Sequence, residues 1–349
     1  MTELKNKQHY VFQAYLKNWY NDKKQVCVFK KSERKIFNTT TVNILHEHQM
    51  CKIQELNNDE KEFLELLMTV MHLNNADKSE MREHIKAYLL PYTNQDIVEA
   101  LKAINPISDG HPLKIEIQQE FKKLDGLIKE QMVNSEEDFL SYYEADGKKW
   151  IDMLIAGDIG FYYAKDHTVS GIELPTEKAD FLNFICIQYF RTAGMRRQIT
   201  DNIQNMVSLS KEYRNKNDGE AEIKFNPANV DPEHILPHFV WIIQTKCSAG
   251  LAKADIQIIR NETSLPFITS DQPVINMKAE VGKKAPNEFV LWYPLSPEVG
   301  VIINGSKGEK SIDKKSEIDR LNNMIWQHSF EYIVGNNEEF LRGMSDMVW

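Results

Sequence analysis

The hydrophobic period of this chain shifts beyond Ala254, and that shift dictates its architecture. Through most of the chain up to Thr245 the apolar residues recur at every third and fourth position, whereas from Ala254 on alternation enters, as at Ile256 and Ile258. The first spacing puts apolar side chains on one stripe of a helix, and the second puts them on one face of a strand. The sequence therefore predicts an α+β fold, with a mainly helical N-terminal two-thirds packed with a mostly antiparallel sheet in the C-terminal third.

Within the helical part, Phe12, Tyr15, Leu16 and Trp19 form a stripe that predicts a helix over His9–Tyr20, ended by Asn21 and Asp22. Val26, Val28 and Phe29 suggest a short strand, followed by a polar connection through Asn38–Thr41. Helices are expected over Asp59–Asn75, Lys78–Leu90, Gln95–Ile104 and Lys114–Met132. Another is expected to open at Ser135, where Ser-x-x-Asp down to Asp138 resembles a capping box. Pro175 and Thr176 precede a helix expected to reach Ile199, and its centre, Phe181–Phe190, is apolar on almost every side, as in a helix buried all round. The charged stretch Lys211–Glu222 reads as an exposed connection before a helical pattern resumes at His234–Thr245.

The C-terminal third predicts a strand from Ile256, a hairpin turn at Asn261–Ser264 and a second strand at Pro266–Ser270. Further strands are expected at Phe289–Tyr293, Val299–Asn304 and Tyr332–Val334, with a helix over Ile312–Trp326. With 349 residues the chain is long enough for one large domain over 1–349 or for two lobes. The stretch Lys211–Glu222 would then divide a helical lobe, 1–210, from a lobe of helix and antiparallel sheet, 223–349.

Composition narrows the partners. A net charge of −9 repels phosphate backbones and anionic membranes, so a nucleic-acid site requires basic residues gathered in one cleft. Cys27, Cys51, Cys186 and Cys247 form no C-x-x-C pair and read as reduced, mostly buried thiols. The polar segment Met1–Gln8 is not a secretory leader, so a cytoplasmic protein is expected. The most apolar runs, Phe181–Phe190 and Phe239–Ile243, fall well short of the roughly 20 residues of a membrane span.

Familiar catalytic motifs are missing. There is no phosphate-cradling glycine loop, no G-x-G-x-x-G and no H-E-x-x-H. Ser270 lacks a G-x-S-x-G elbow, and Glu280 and Lys283 have the wrong spacing for a metal nuclease. His46-Glu47-His48 can put two imidazoles on one side of a strand, but it lacks further ligands at metal spacing. A divalent metal is therefore an open option without a complete ligand motif.

What remains is a set of polar residues in apolar surroundings. His9 and Gln13 are four apart, on one face of the predicted helix, where His9 is a satisfied core residue, an acid/base or a metal ligand. Arg191, one turn after Gln188, needs an anion or carbonyls to offset its desolvation, the two candidate partners being Asp271 in an internal pair and a substrate phosphate or carboxylate. Arg196 and Arg197 read as a solvated basic helix end or the mouth of a cleft. Asp271, beside Ser270 and just before Pro273, caps a turn or presents a carboxylate to a cleft.

The string His9-Tyr10-Val11-Phe12-Gln13-Ala14-Tyr15-Leu16-Lys17-Asn18-Trp19 resembles the opening signature of the bacterial family known as domain of unknown function 4238. That signature runs His-Tyr-Val-Pro, Gln, then Tyr-Leu-basic-Asn-aromatic, and Phe12 here stands where the family usually has proline. Gln188 with Arg191-Thr192, Phe267–Val274 and Pro294–Pro297 follow in the family's order and extend the resemblance over nearly the whole chain. Some relatives are associated with bacterial defence against phage, so the resemblance implies a context more than a mechanism. Two functions are expected from it. One is a defence effector, a nuclease or other hydrolase acting on nucleic acid or nucleotide, with His9 as acid/base, Arg191 on phosphate, and Gln13 and Asp271 positioning. Gln188, Arg196, Arg197 and Ser270 would then contact substrate. The other is a non-enzymatic sensor or interaction module for a phage or host protein, in which the same cluster is structural.

Overall fold

A computed structural model describes residues 7–48, 53–103, 112–164, 167–169, 172–174, 176–216, 224–280, 286 and 288–348. Cys51, Pro175, Lys283 and the end of the expected connection Lys211–Glu222 lie outside them. The fold is α+β, with helices concentrated in the N-terminal two-thirds and antiparallel-rich sheets toward the C-terminus. The chain divides into two compact units, each assembled from three stretches. One comprises 1–8, 48–140 and 199–242, and the other 9–47, 141–198 and 243–349. The units interleave along the chain, whereas the sequence suggested lobes that follow one another.

The first unit is helical. Its helix Asn58–Val70 starts with a capping box in which the Asn57 side chain accepts the Glu60 N–H while Glu60 accepts the Asn57 N–H. Phe63, Leu64, Leu67 and Met68 on that helix are buried, and Phe63 meets Phe225 edge-on. Asn75–Ala103 is one helix with Pro91 inside it, in place of the two expected. Pro112–Ala156 is likewise continuous through Ser135. Ser135 does not cap a helix there; its hydroxyl donates to the Gln131 carbonyl one turn back, the usual resort of a serine inside a helix. Val98, Ile128 and Met132 form a local core.

The second unit holds two larger sheets. In the five-stranded one, Gly308–Ile312, Ile256–Asn261, Val299–Ile303, Leu291–Pro294 and Ile275–Asn276 follow in that spatial order. All its pairings are antiparallel except that of Gly308–Ile312 with Ile256–Asn261. Ile312, expected in a helix, ends a strand, and the helix runs over Lys315–His328. The four-stranded sheet has the order Lys35–Thr39, Val26–Lys30, Tyr332–Gly335, Thr269–Ser270. It thus recruits two N-terminal strands, and Ile333 pairs with Phe29 on one side and Ser270 on the other. The expected hairpin across Asn261–Ser264 does not form, because Ile256–Asn261 and Thr269–Ser270 join different sheets. Phe29, Phe267, Trp292, Leu321, Trp326 and Ile333 pack into a shared core with these strands and the helix Lys315–His328.

The helix expected to run to Ile199 is broken. It ends at Phe190, and a new one spans Ala193–Lys216. Thr192 caps the second helix: its carbonyl accepts the Arg196 N–H at 2.9 Å and its hydroxyl accepts the Met195 N–H at 3.4 Å. Arg191 and Thr192 therefore occupy a kink between helices, and the kink delivers them to the site.

Candidate functional site

His9 is not on a helix. It ends the strand Lys7–His9, and the helix that follows is only Gln13–Leu16, continued as a 3-10 turn Lys17–Trp19. Phe12 is the N-cap, with φ −57°, a value that proline's ring also imposes, so the backbone at this position would accept a proline. The phenyl ring instead packs edge-on against Phe184. Although no helix joins them, Gln13 still reaches His9: its amide nitrogen lies 2.9 Å from Nδ1 and 3.0 Å from Nε2. Nε2 is 3.3 Å from the Val42 carbonyl. A tautomer with Nε2–H donating to Val42 and Nδ1 accepting from Gln13 satisfies this arrangement and fixes the ring.

Arg191 is 3% exposed and ion-pairs with Glu144, itself 18% exposed, through Nη1. Its Nη2 donates to the carbonyl of His9, which ties the kink to the start of the N-terminal helix. The predicted partner Asp271 is engaged elsewhere, so the cation is offset by a carboxylate that no motif announced. Gln188, one turn before, is fully buried, and neither amide atom has a hydrogen-bond partner among the described residues. The Tyr293 hydroxyl is also buried without one. Burial pushes that phenol well above its usual range, and Tyr15, Glu144 and Arg191 are the groups whose fields reach it. The Tyr15 hydroxyl, in contrast, donates to the Pro294 carbonyl at 2.8 Å and lies 2.6 Å from Thr269 Oγ1.

Asp271 holds a turn. Oδ1 accepts the Phe330 N–H at 2.9 Å, and Oδ2 accepts those of Glu331 and Tyr332 at 2.5 and 2.9 Å. Burial raises its carboxyl to about 6, against the three N–H donors and Lys31, which favour the charged form. Ser270 Oγ bridges within the same loop, donating to the Gln272 carbonyl and accepting the Gln272 N–H, each at 3.0 Å. The Gln272 side chain donates to the Tyr189 and Val274 carbonyls and accepts from the Thr192 hydroxyl. Neighbours of Arg191 and Asp271 thus bond to each other while the two charges do not pair. Arg196 is buried, not solvated, whereas Arg197 is exposed and stacks over Phe330, 4.9 Å from the ring centroid.

Above this scaffold lies a cleft of about 480 Å³, lined by Tyr10, Lys30, Lys35, His46, Phe330, Tyr332 and their neighbours. His46 meets the His9 ring edge-on, with centroids 5.4 Å apart. Lys30 pairs with Glu33, and Ser32 bonds the Glu331 carboxylate. In the sequence His46 belongs only to a weak metal pattern, and Lys35, Glu144, Tyr293 and Phe330 carry no motif. Their only signal is long-range pairing. Among the described residues, no three His, Cys, Asp or Glu side chains gather where they can hold a metal ion. Cys27, Cys186 and Cys247 are free thiols. No helix among the described residues is long and apolar enough to cross a membrane.

No curated protein and no solved structure matches this chain. A family model does match it over residues 7–339, a span that includes His9, Gln13, Gln188, Arg191 and Asp271, and the chain therefore belongs to the family described as protein of unknown function DUF4238.

Proposed function

We propose that this chain is a cytoplasmic effector of bacterial defence against phage that hydrolyses a phosphoester of a nucleotide or nucleic acid, with His46 and His9 as its acid/base pair. The observation that carries the reading is the edge-on contact of the two imidazoles, at 5.4 Å, beside a cleft that also holds Lys30 and Lys35. In such a hydrolysis a neutral imidazole takes a proton from water as the water oxygen bonds to phosphorus, and a protonated imidazole gives one to the departing oxygen. His46 lines the cleft and is the nearer group to substrate. His9, oriented by Gln13, takes part by releasing its bond to that amide. Arg191 and Asp271 act through the scaffold, because their charges are already used inside the protein.

The test is turnover of RNA, DNA and mononucleotide substrates, each with Mg²⁺ and with chelator, by wild type and His46→Ala checked for an unchanged melt. Turnover by wild type that falls at least a hundredfold in the variant supports the reading. Absence of turnover in every arm, or an active variant, overturns it.

A second reading, a sensor or interaction module that binds a phage or host protein, is favoured by the complete use of Asp271 on three backbone N–H groups. It expects His9→Ala to lose phage protection only in step with thermal stability.

A further inference from the structure

The ring of Phe330 is unusual for this cleft. It is 50% exposed although it sits in the cleft wall, and three separate features hold it there. Asp271 accepts its backbone N–H, the Arg197 guanidinium stacks 4.9 Å from its centroid, and Gly194 lets its Cβ approach closely. A Cβ added at Gly194 would stand 3.1 Å from the Phe330 Cβ, so a larger residue would displace the platform. An aromatic ring fixed in this way, with half of the residue still open to water, is what stacking of a flat ligand requires.

The charges around it select the ligand. Lys30, Lys35 and Arg197 are balanced by Glu33, Glu47 and Glu331, so the cleft is close to neutral. A neutral cleft on a chain of net charge −9 does not attract a long phosphate backbone. Lys35 is exposed and, among the described residues, has no carboxylate in ion-pairing contact. It is placed to meet one phosphate. We infer that the cleft is a nucleotide site, with a nucleobase stacked on Phe330 and a single phosphate on Lys35. This rests on the cleft being the functional site, and it narrows the substrate class to a mononucleotide or one terminal nucleotide of a strand. Phe330 is a binding residue here, and Asp271, Gly194 and Arg197 are positioning residues.

Calorimetric titration of the full chain with adenosine monophosphate, adenosine, inorganic phosphate and a short oligoribonucleotide tests it. His46→Ala is the background, so that turnover does not interfere. The monophosphate is expected to bind more tightly than either adenosine or phosphate alone. Phe330→Ala should weaken it about tenfold or more, the scale of a lost base stack, and Phe330→Trp should keep it. Lys35→Ala should weaken the monophosphate and leave adenosine unchanged. Oligonucleotide binding no tighter than the monophosphate assigns the site to a free nucleotide, and tighter binding that still needs Phe330 assigns it to a strand end. No monophosphate binding, binding indifferent to Phe330→Ala, or phosphate alone binding as tightly as the monophosphate overturns the inference. Turnover by wild type with binding indifferent to Phe330→Ala would remove the platform and leave the hydrolase. Stacking without turnover would do the reverse.

Discussion

Asp271 carries the turn that presents Phe330, accepting its N–H at 2.9 Å through Oδ1 while Oδ2 takes the next two amides. Burial lifts this carboxyl from 3.8 to about 6, so the folded chain takes up the proton at a pH where the unfolded chain is still ionised. The sign follows from linkage. The contribution of Asp271 to stability is fully present below about 4 and is lost as pH rises through 6. The stability gap between wild type and Asp271→Ala is therefore expected to widen from pH 7.5 to pH 4.5, by up to ~3 kcal/mol for a shift of about two pKa units. Urea melts of both proteins across that range measure it, and a gap that narrows on acidification contradicts the assignment.

Arg191 and Glu144 form a pair 3% and 18% exposed, so removing one leaves the other desolvated and uncompensated. Arg191→Ala is expected to cost ~3–5 kcal/mol. The double variant Arg191→Met, Glu144→Leu should recover most of that loss, because two apolar groups need no partner. A double-mutant cycle by chemical denaturation gives the coupling. A double variant as unstable as the single would show that the His9 carbonyl, and not Glu144, is the contact that matters.

A local pattern in the sequence marks where a helix can begin, and long-range bonds decide where one does. Ser135 and Thr192 show the difference. Ser135 matched a capping pattern, yet its helix runs through it, since nothing around it breaks the backbone. Thr192 does cap a helix, and its sequence context, Arg-Thr-Ala-Gly, contains no acidic residue three positions on to announce it. The break there is made by tertiary bonds, Arg191 to the His9 carbonyl and Thr192 to Gln272, which join residues far apart in the chain. For the same reason the His9–Gln13 contact forms although the helix expected over His9–Tyr20 does not. The spacing of four was right, but a cap at Phe12 and a strand at His9 produce the contact by another route. Likewise the sheet in the C-terminal third was legible from alternation. Its neighbour is completed by Val26–Lys30, a strand more than 300 residues from Tyr332 in sequence, which periodicity alone cannot assign.

His238 shifts with acid in the opposite sense to Asp271. It is 1% exposed, and neither ring nitrogen has a partner among the described residues. Burial pushes it down to about 4; nearby, His84 is pushed down to about 3 by burial and by the field of His238. Its ordinary value is 6.5, so the stability it allows is present above that and is lost as pH falls toward 4. His238→Leu removes two unpaired nitrogens and is expected to be more stable than wild type at pH 5. Relative to pH 8 the advantage should grow by ~2 kcal/mol. An advantage that does not depend on pH would show that packing, and not protonation, separates the two.

Glu60 has two duties that one substitution can separate. Its Oε2 accepts the Asn57 N–H at 2.8 Å in the capping box, and its Oε1 accepts from the Asp231 N–H at 3.2 Å and faces His234 Nδ1 at 3.0 Å. The same helix start holds the approaching chain twice more, through Asn57 to the Asn229 carbonyl and Asp59 to the Asn226 N–H. Glu60 is 1% exposed, so its loss leaves several donors without acceptors. Glu60→Ala should cost ~2–4 kcal/mol, combining a lost cap with orphaned donors. A glutamine can still close a capping box, but its amide has only one acceptor oxygen, so Glu60→Gln must abandon one duty. If the cap dominates, Glu60→Gln keeps most of the stability and hydrogen exchange quickens at the Asp231 amide alone. If the contacts to Asp231 and His234 dominate, exchange quickens at Asn57 instead, and the helix Asn58–Val70 frays from its first turn.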